Sequence, residues 1–179
     1  GVDMQIIQDF DRIRITGSYS YLEATYEENG LLFGERSVQA RPGMRIPGIP
    51  ENVFRLLVDW TPQDALKIGV TFIATSDLVT QGNEDGLIGG DDDVIARDAS
   101  VNGYQLVNLR LRYEKSRSLR LFAKVTNLFD ERYETYGAMA ESVFTSTGEF
   151  VDAEQGPTLS RFVAPGAPRA AFVGLSYKF

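Results

Sequence analysis

Apolar and polar residues alternate at every second position through seven stretches of this sequence. Leu66, Ile68, Val70, Phe72 and Ala74 interleave with Lys67, Gly69, Thr71 and Ile73; Val107, Leu109, Leu111 and Tyr113 interleave with Asn108, Arg110 and Arg112. Leu119, Leu121, Ala123 and Val125 alternate with Arg120, Phe122, Lys124 and Thr126, and Ala171, Val173, Leu175, Tyr177 and Phe179 with Phe172, Gly174, Ser176 and Lys178. Ile13, Ile15, Tyr19 and Tyr21 stand against Arg14, Thr16, Ser18 and Ser20, and Phe54, Leu56, Val58 and Trp60 against Arg55 and Asp59. Val2, Met4 and Ile6 against Asp3 and Gln5 make a weaker seventh. Period two marks strands whose two faces differ chemically, and no stretch repeats at the helical period. The fold expected is all-β, with strands at about 1–8, 12–25, 52–60, 66–79, 104–114, 119–136 and 168–179.

The connections alternate between short and long. Short ones fall near Gln8 to Arg12, Thr61 to Ala65 and Lys115 to Ser118; long ones run from Tyr26 to Glu51, Thr80 to Gly103 and Glu131 to Ala167. Loops beyond about 12 to 15 residues are uncommon in compact domains. Three of them separated by tight turns describe an antiparallel up-and-down meander with every long loop at one end, the layout of a transmembrane β-barrel. No stretch of about 18 apolar residues predicts a spanning helix. The opening run Gly1 to Ile7 shows no basic start followed by an apolar stretch, so no signal peptide is expected.

The 179 residues include neither Cys nor His. That removes disulfides, thiolate metal sites, imidazole bases and the Ser-His-Asp triad, and leaves a hard-oxygen cation site, a carboxylate or Tyr/Lys catalyst, or a protein that binds or transports without chemistry; the last is the expectation, with no enzyme activity and no cofactor. The formal net charge is −7, which argues against nucleic acid as a partner. It is unevenly spread: loop 80–103 carries −5, loop 131–167 carries −4 and loop 26–51 carries −1, leaving +3 for strands and turns. The strand cations fall mainly on the polar positions. Arg14, Arg55, Arg110, Arg112, Arg120 and Lys124 are the candidates for a lumen-facing row, which is the wet side of a barrel wall and a candidate lure for an anionic ligand.

Aromatic placement supports the membrane expectation over a soluble antiparallel sandwich. Tyr177, Phe179, Tyr113 and Trp60 fall at the lower strand ends, and Tyr19, Tyr21, Tyr133 and Tyr136 near the upper ends, as two girdles flanking aliphatic middles. In the loop after Gly89-Gly90, Asp91-Asp92-Asp93 carries oxygen ligands that suit a hard cation, with Asp91 and Asp93 the candidate positions. The spacing is not that of an EF-hand, and a solvated loop explains the run more simply.

One segment breaks the alternation. In Val125 to Gly137, Asn127 occupies an apolar-face position and Leu128-Phe129 are consecutive, which predicts a bulge as the strand leaves the bilayer. The residues Asn127, Leu128, Phe129, Asp130 and Tyr133 resemble the NLFDxxY signature in the penultimate strand of TonB-dependent outer-membrane receptors. The tail from Pro168-Arg169 to Phe179 resembles that family's last strand, Pro47-Gly48-Ile49-Pro50 is similar to its PGxP loop end, and Gly103-Tyr104 is a weaker likeness.

The resemblance implies a receptor that captures ligand in outer loops, folds an N-terminal plug inside a 22-stranded barrel and takes its energy from inner-membrane TonB. About seven strands and no plug then mean a C-terminal barrel segment, residues 1–179. Its expected partners are membrane lipid, the remaining barrel and plug, TonB through the N-terminal region, and the outer-membrane assembly machinery, for which Tyr177 and Phe179 resemble the signal. The expected function is uptake of a scarce nutrient such as a ferric siderophore, in the bacterial outer membrane. The alternatives are a small structural or adhesive barrel, with an eighth strand in Ser142 to Val151, and a soluble β-sandwich binding module.

Overall fold

A computed structural model of the chain describes residues 1–34, 37–86, 100–145, 147–151 and 156–179. Among them it contains strands and no helix: β1 (Val2–Asp9), β2 (Ile13–Tyr21), β3 (Gly30–Leu32), β4 (Val38–Ala40), β5 (Asn52–Gln63), β6 (Leu66–Thr75), β7 (Leu78–Val79), β8 (Ser100–Val101), β9 (Tyr104–Glu114), β10 (Leu119–Thr126), β11 (Glu134–Ser142), β12 (Thr158–Pro165) and β13 (Ala170–Tyr177). Seven of these form one sheet in the order β1-β2-β5-β6-β9-β10-β13, every neighbouring pair antiparallel. This is the expected meander, open at both edges. The other six strands pair off as hairpins β3-β4, β7-β8 and β11-β12 inside the long loops.

Register decides what the period-two pattern does. Ile15, Val58, Val70, Leu109, Val125 and Ala171 lie opposite one another across six strands, one apolar row of the wall. The adjacent row is Arg14, Asp59, Gly69, Arg110, Lys124 and Phe172, on the other face. A slip of one residue on any strand would interleave the two rows.

The apolar face has no covering layer among the described residues. Ile6 is 71% exposed, Leu175 67% and Val173 86%. A sandwich would bury this face against a second sheet about 10 Å away, so the soluble alternative does not describe the molecule. A bare apolar face of this extent suits a lipid surface. Trp60, Tyr113 and Tyr177 sit at its lower margin and Tyr19 and Tyr21 at its upper margin, as expected of girdles.

Most buried apolar side chains lie above the wall, in the loops. Val38, Ala40, Leu78, Val101 and Met139, from all three long loops, and Leu106 near the upper end of β9 make up a small core. Gln81 pairs with Ala138: its N–H donates to Gly137 O at 3.0 Å, and its carbonyl accepts from Met139 N–H at 2.8 Å. Gly137 is required there, because a Cβ would stand 2.8 Å from Val101 Cγ2. Arg45 ties the first loop to the second through Asp77 at 2.9 Å and to its own end through Glu51 at 3.1 Å; Arg161 of β12 holds Glu134 at 2.8 Å.

Three strand boundaries depart from the sequence expectation. The strand expected over 12–25 stops at Tyr21, where the Leu22 N–H turns to Glu51 O at 2.9 Å. The strand expected over 66–79 splits at Ser76 into β6 and β7. The strand expected over 119–136 ends at Thr126, and the chain beyond it forms a knot of hydrogen bonds in place of the expected ladder bulge. Asn127 is buried with φ of 50°, and Asp130 has φ of 57°; both are left-handed turns. The Asn127 N–H donates to Asn108 Oδ1 at 2.9 Å, its Nδ2 donates to Glu131 O at 2.9 Å and Ala167 O at 3.1 Å, and its Oδ1 accepts from Glu131 N–H at 2.9 Å. The Leu128 N–H reaches Val107 O at 2.8 Å, and Asp130 Oδ1 accepts the Arg169 N–H at 2.9 Å. One residue thus ends β10, anchors it to β9 and fixes the entry to β13. Beyond the knot, Tyr133 packs on Tyr104 with ring centroids 4.4 Å apart, while Tyr136 in β11 hydrogen-bonds Gln81, so neither belongs to a wall strand. The Thr147-Gly148 tip does form, closed by the Thr145 N–H to Glu149 O bond at 2.8 Å, but within the third loop and not as an eighth wall strand.

Wall and knot make separate demands that the intact protein in lipid vesicles will show. Leu109→Arg, in the middle of the apolar face, will lower unfolding stability by about 2 to 4 kcal/mol in denaturant titration, whereas Thr71→Arg on the opposite face will not carry this bilayer cost. Asn127→Ala will cost about 3 kcal/mol, from lost hydrogen bonds and left-handed strain together. Asn127→Gly loses the same side-chain hydrogen bonds without the strain, and will be milder than Ala by about 1 kcal/mol.

Candidate functional site

The polar face of the wall carries every cation singled out in the sequence. Register places Arg14, Arg110 and Lys124 in one row, with Arg55, Arg112 and Arg120 on the same face above and below. These strands bring acids to that face as well. Asp9 holds Arg14 at 2.5 Å, and Glu114 pairs with Arg112 and, at 3.3 Å, with Arg120. Arg110 reaches Asp59 at 2.6 Å although β6 lies between their strands. Gly69 makes that crossing possible: a Cβ there would stand 2.3 Å from Arg110 Nε and 2.9 Å from Asp59 Oδ1.

The row is therefore not the unbroken cationic lure that its bases alone would make. Alternation counts residues strand by strand, and the acids that neutralise Arg14 and Arg110 come from other strands. Arg55 and Lys124 form no ion pair among the described residues and keep their charge unmatched. Towards the lower end, Asp9, Arg12, Asp59, Lys67 and Arg112 line a recess of about 780 Å³.

A second recess, about 650 Å³, opens at the upper end between the loops. Tyr26 and Leu32 of the first loop, Val38 of β4, Gln81 and Glu84 of the second loop and Met139 of β11 line it. Burial, and then the Glu84 carboxylate, push the Tyr26 hydroxyl above its ordinary pKa. The sequence did not bring these residues together as a site. Their segments lack a sustained period, and strands of two or three residues such as β3, β4 and β7 leave no signature to read.

Of the remaining candidates, Asn127, Leu128, Phe129, Asp130 and Tyr133 belong to the strand-end knot and do not meet either recess; Phe129 is largely exposed. Tyr177 and Phe179 pack edge to face, centroids 5.1 Å apart, at the lower end of the open β13 edge. Asp91 and Asp93 lie outside the described residues. Among the described residues no group of acids stands together as a metal site, and no helix is long and apolar enough to cross a membrane, which says nothing of strands.

No curated protein matches the sequence. In structure the chain is similar to the siderophore receptor PiuA from Acinetobacter baumannii, at a TM-score of 0.68 and 16% identity, covering 99% of this chain and 21% of that one. It is also similar to the ferric enterobactin receptor PfeA from Pseudomonas aeruginosa, solved with enterobactin, at a TM-score of 0.60 and 18% identity over 99% of this chain and 22% of that one. The ferric citrate transporter FecA gives a TM-score of 0.60 and 20% identity over 94% of this chain and 21% of that one. The chain thus spans about a fifth of the length of these structures. At such identities the likeness is one of fold. The family model described as TonB dependent receptor-like, beta-barrel, matches residues 1–128. Matched over that stretch, and shaped as an antiparallel wall with one bare apolar face, the chain belongs to the β-barrel domain of the TonB-dependent receptors, which are outer-membrane transport receptors and not enzymes.

Proposed function

We propose that residues 1–179 form the C-terminal part of the barrel wall, with three outer loops, of a receptor that takes up an iron chelate such as a ferric siderophore. The observation that carries this reading is the family match, joined to a wall whose long loops all gather at one end into a shared packed layer. That arrangement lets several loops present side chains to one ligand above the barrel mouth. The solved siderophore and ferric citrate receptors support the substrate class.

In this reading Arg14, Arg55, Arg110, Arg112, Arg120 and Lys124 face the lumen, where the ion pairs of Asp9, Asp59 and Glu114 hold most of them in a fixed lattice. Arg55 and Lys124 keep the free charge that an acidic plug surface or a passing anion would meet. A plug and TonB supply the gate and the energy from other parts of the receptor. Tyr177 and Phe179 serve as the signal for the assembly machinery, helped by their place at an exposed strand end. Lipid covers the apolar face.

The test is uptake of radioiron chelates by iron-starved cells carrying or lacking the intact receptor gene. Deletion will abolish accumulation of at least one ferric chelate, a plasmid copy will restore it, and a protonophore will block it. Accumulation of every chelate unchanged by deletion, in a host without a second receptor for it, would overturn the reading.

A further inference from the structure

Three acids of the loop layer meet a cation. Glu51 and Asp77 meet Arg45, and Glu134 meets Arg161. Glu84 meets no cation among the described residues. Its Oε1 accepts the Gly82 N–H at 3.1 Å, while Oε2 is shut off from solvent and accepts no hydrogen bond among the described residues. A buried carboxylate oxygen without a donor is costly, and such atoms are rare in folded proteins.

The surroundings sharpen the point. Glu84 lines the upper recess of about 650 Å³ together with Tyr26, and the other walls include Leu32, Val38 and Met139. The Tyr26 hydroxyl makes no side-chain hydrogen bond among the described residues. Gly82, at φ of 85°, turns its N–H onto Oε1 and leaves Oε2 for something else. Met139 closes over that turn so tightly that a Cβ on Gly82 would stand 3.0 Å from Met139 Cβ. The recess thus combines an apolar lining with one half-satisfied carboxylate and a free phenol, set in a loop layer whose three long segments carry −10 in all.

We propose that this recess is a subsite for a cationic group, a protonated amine or guanidinium, borne on an apolar arm of the ligand. With the Glu84 carboxylate turned so that Oε2 faces the recess, the cation donates to Oε2 and to the Tyr26 oxygen, supplying the donor that the described residues lack, and the arm lies against Leu32, Val38 and Met139. An anionic arm finds no donor at Glu84 and is repelled there. The proposal rests on the uptake reading for its biological role, and it names a ligand chemistry that reading leaves open.

Binding of two probes with one carbon skeleton tests it: phenethylammonium and the uncharged phenethyl alcohol, each titrated by calorimetry and saturation-transfer NMR into the intact receptor in detergent micelles. The ammonium will bind about tenfold more tightly than the alcohol, as a charge-assisted hydrogen bond predicts. Glu84→Gln keeps an oxygen for the Gly82 N–H and will bring the two probes to near-equal affinity. Glu141→Gln, which removes one exposed acid from the same layer, will leave the preference intact. Equal binding by the parent receptor, no saturable binding of the ammonium, or a preference unaltered by Glu84→Gln would each overturn the subsite. Any of these in a receptor that still accumulates radioiron chelate refutes the subsite alone and leaves the uptake reading standing.

Discussion

A backbone crossing lipid must satisfy all its N–H and C=O groups internally, because no water is there to replace a missing partner. The unbroken ladder from β1 to β13 is the answer of this chain to that demand, and its other features depend on the ladder's register. Once Val70 faces Leu109 and Gly69 faces Arg110, the alternating apolar residues of the wall are committed to one side and the charges to the other, with Leu57, Ile73, Phe122 and Phe172 the apolar residues that share the charged side. The same demand applies at β1 and β13, whose outer edges are open in this sheet. In lipid an open edge is excluded, so the wall closes only with further strands of the family's barrel.

Below and above the bilayer the physics changes, and so does the architecture. Within the wall both faces of a strand are committed to surroundings outside the sheet, so no packed protein core forms there. In the loop layer water competes for every polar group, and stability has to come from burial. Val38, Val101 and Met139 accordingly gather from three separate loops, short hairpins hold the backbone groups, and Arg45 binds loop to loop while Arg161 clasps β12 to β11. The strand-end knot at Asn127 joins the two regimes. It stops β10 at the upper margin of the wall and sends the chain into the third loop with its backbone groups held by one amide side chain.

The wall was legible from the chain because a two-sided strand writes its environment into alternate residues. Seven strands, three tight turns and three long connections could be placed without knowing any contact. The boundaries at Tyr21, Thr75 and Thr126 were less legible, since residues such as Tyr133 and Tyr136 continue a strand-like composition past the point where backbone geometry turns. Of the turns within the loops only the Thr147-Gly148 tip was legible, and the loop hairpins β3-β4 and β7-β8 were not; β7 and β8 are two residues each and rest on partners far along the chain.

The chain by itself determined the fold class, the polarity of each face, the end at which the long loops gather and the family motif at Asn127. These depend on local period and local composition. Tertiary structure alone decided which charges remain free and where a ligand can lodge. Asp59 neutralises Arg110 only because Gly69 leaves room between them, and Glu84 shares a recess with Tyr26 only because two long loops fold onto β11. Such relations join residues some fifty positions apart in sequence, and a one-dimensional pattern records each residue's setting without recording its neighbours.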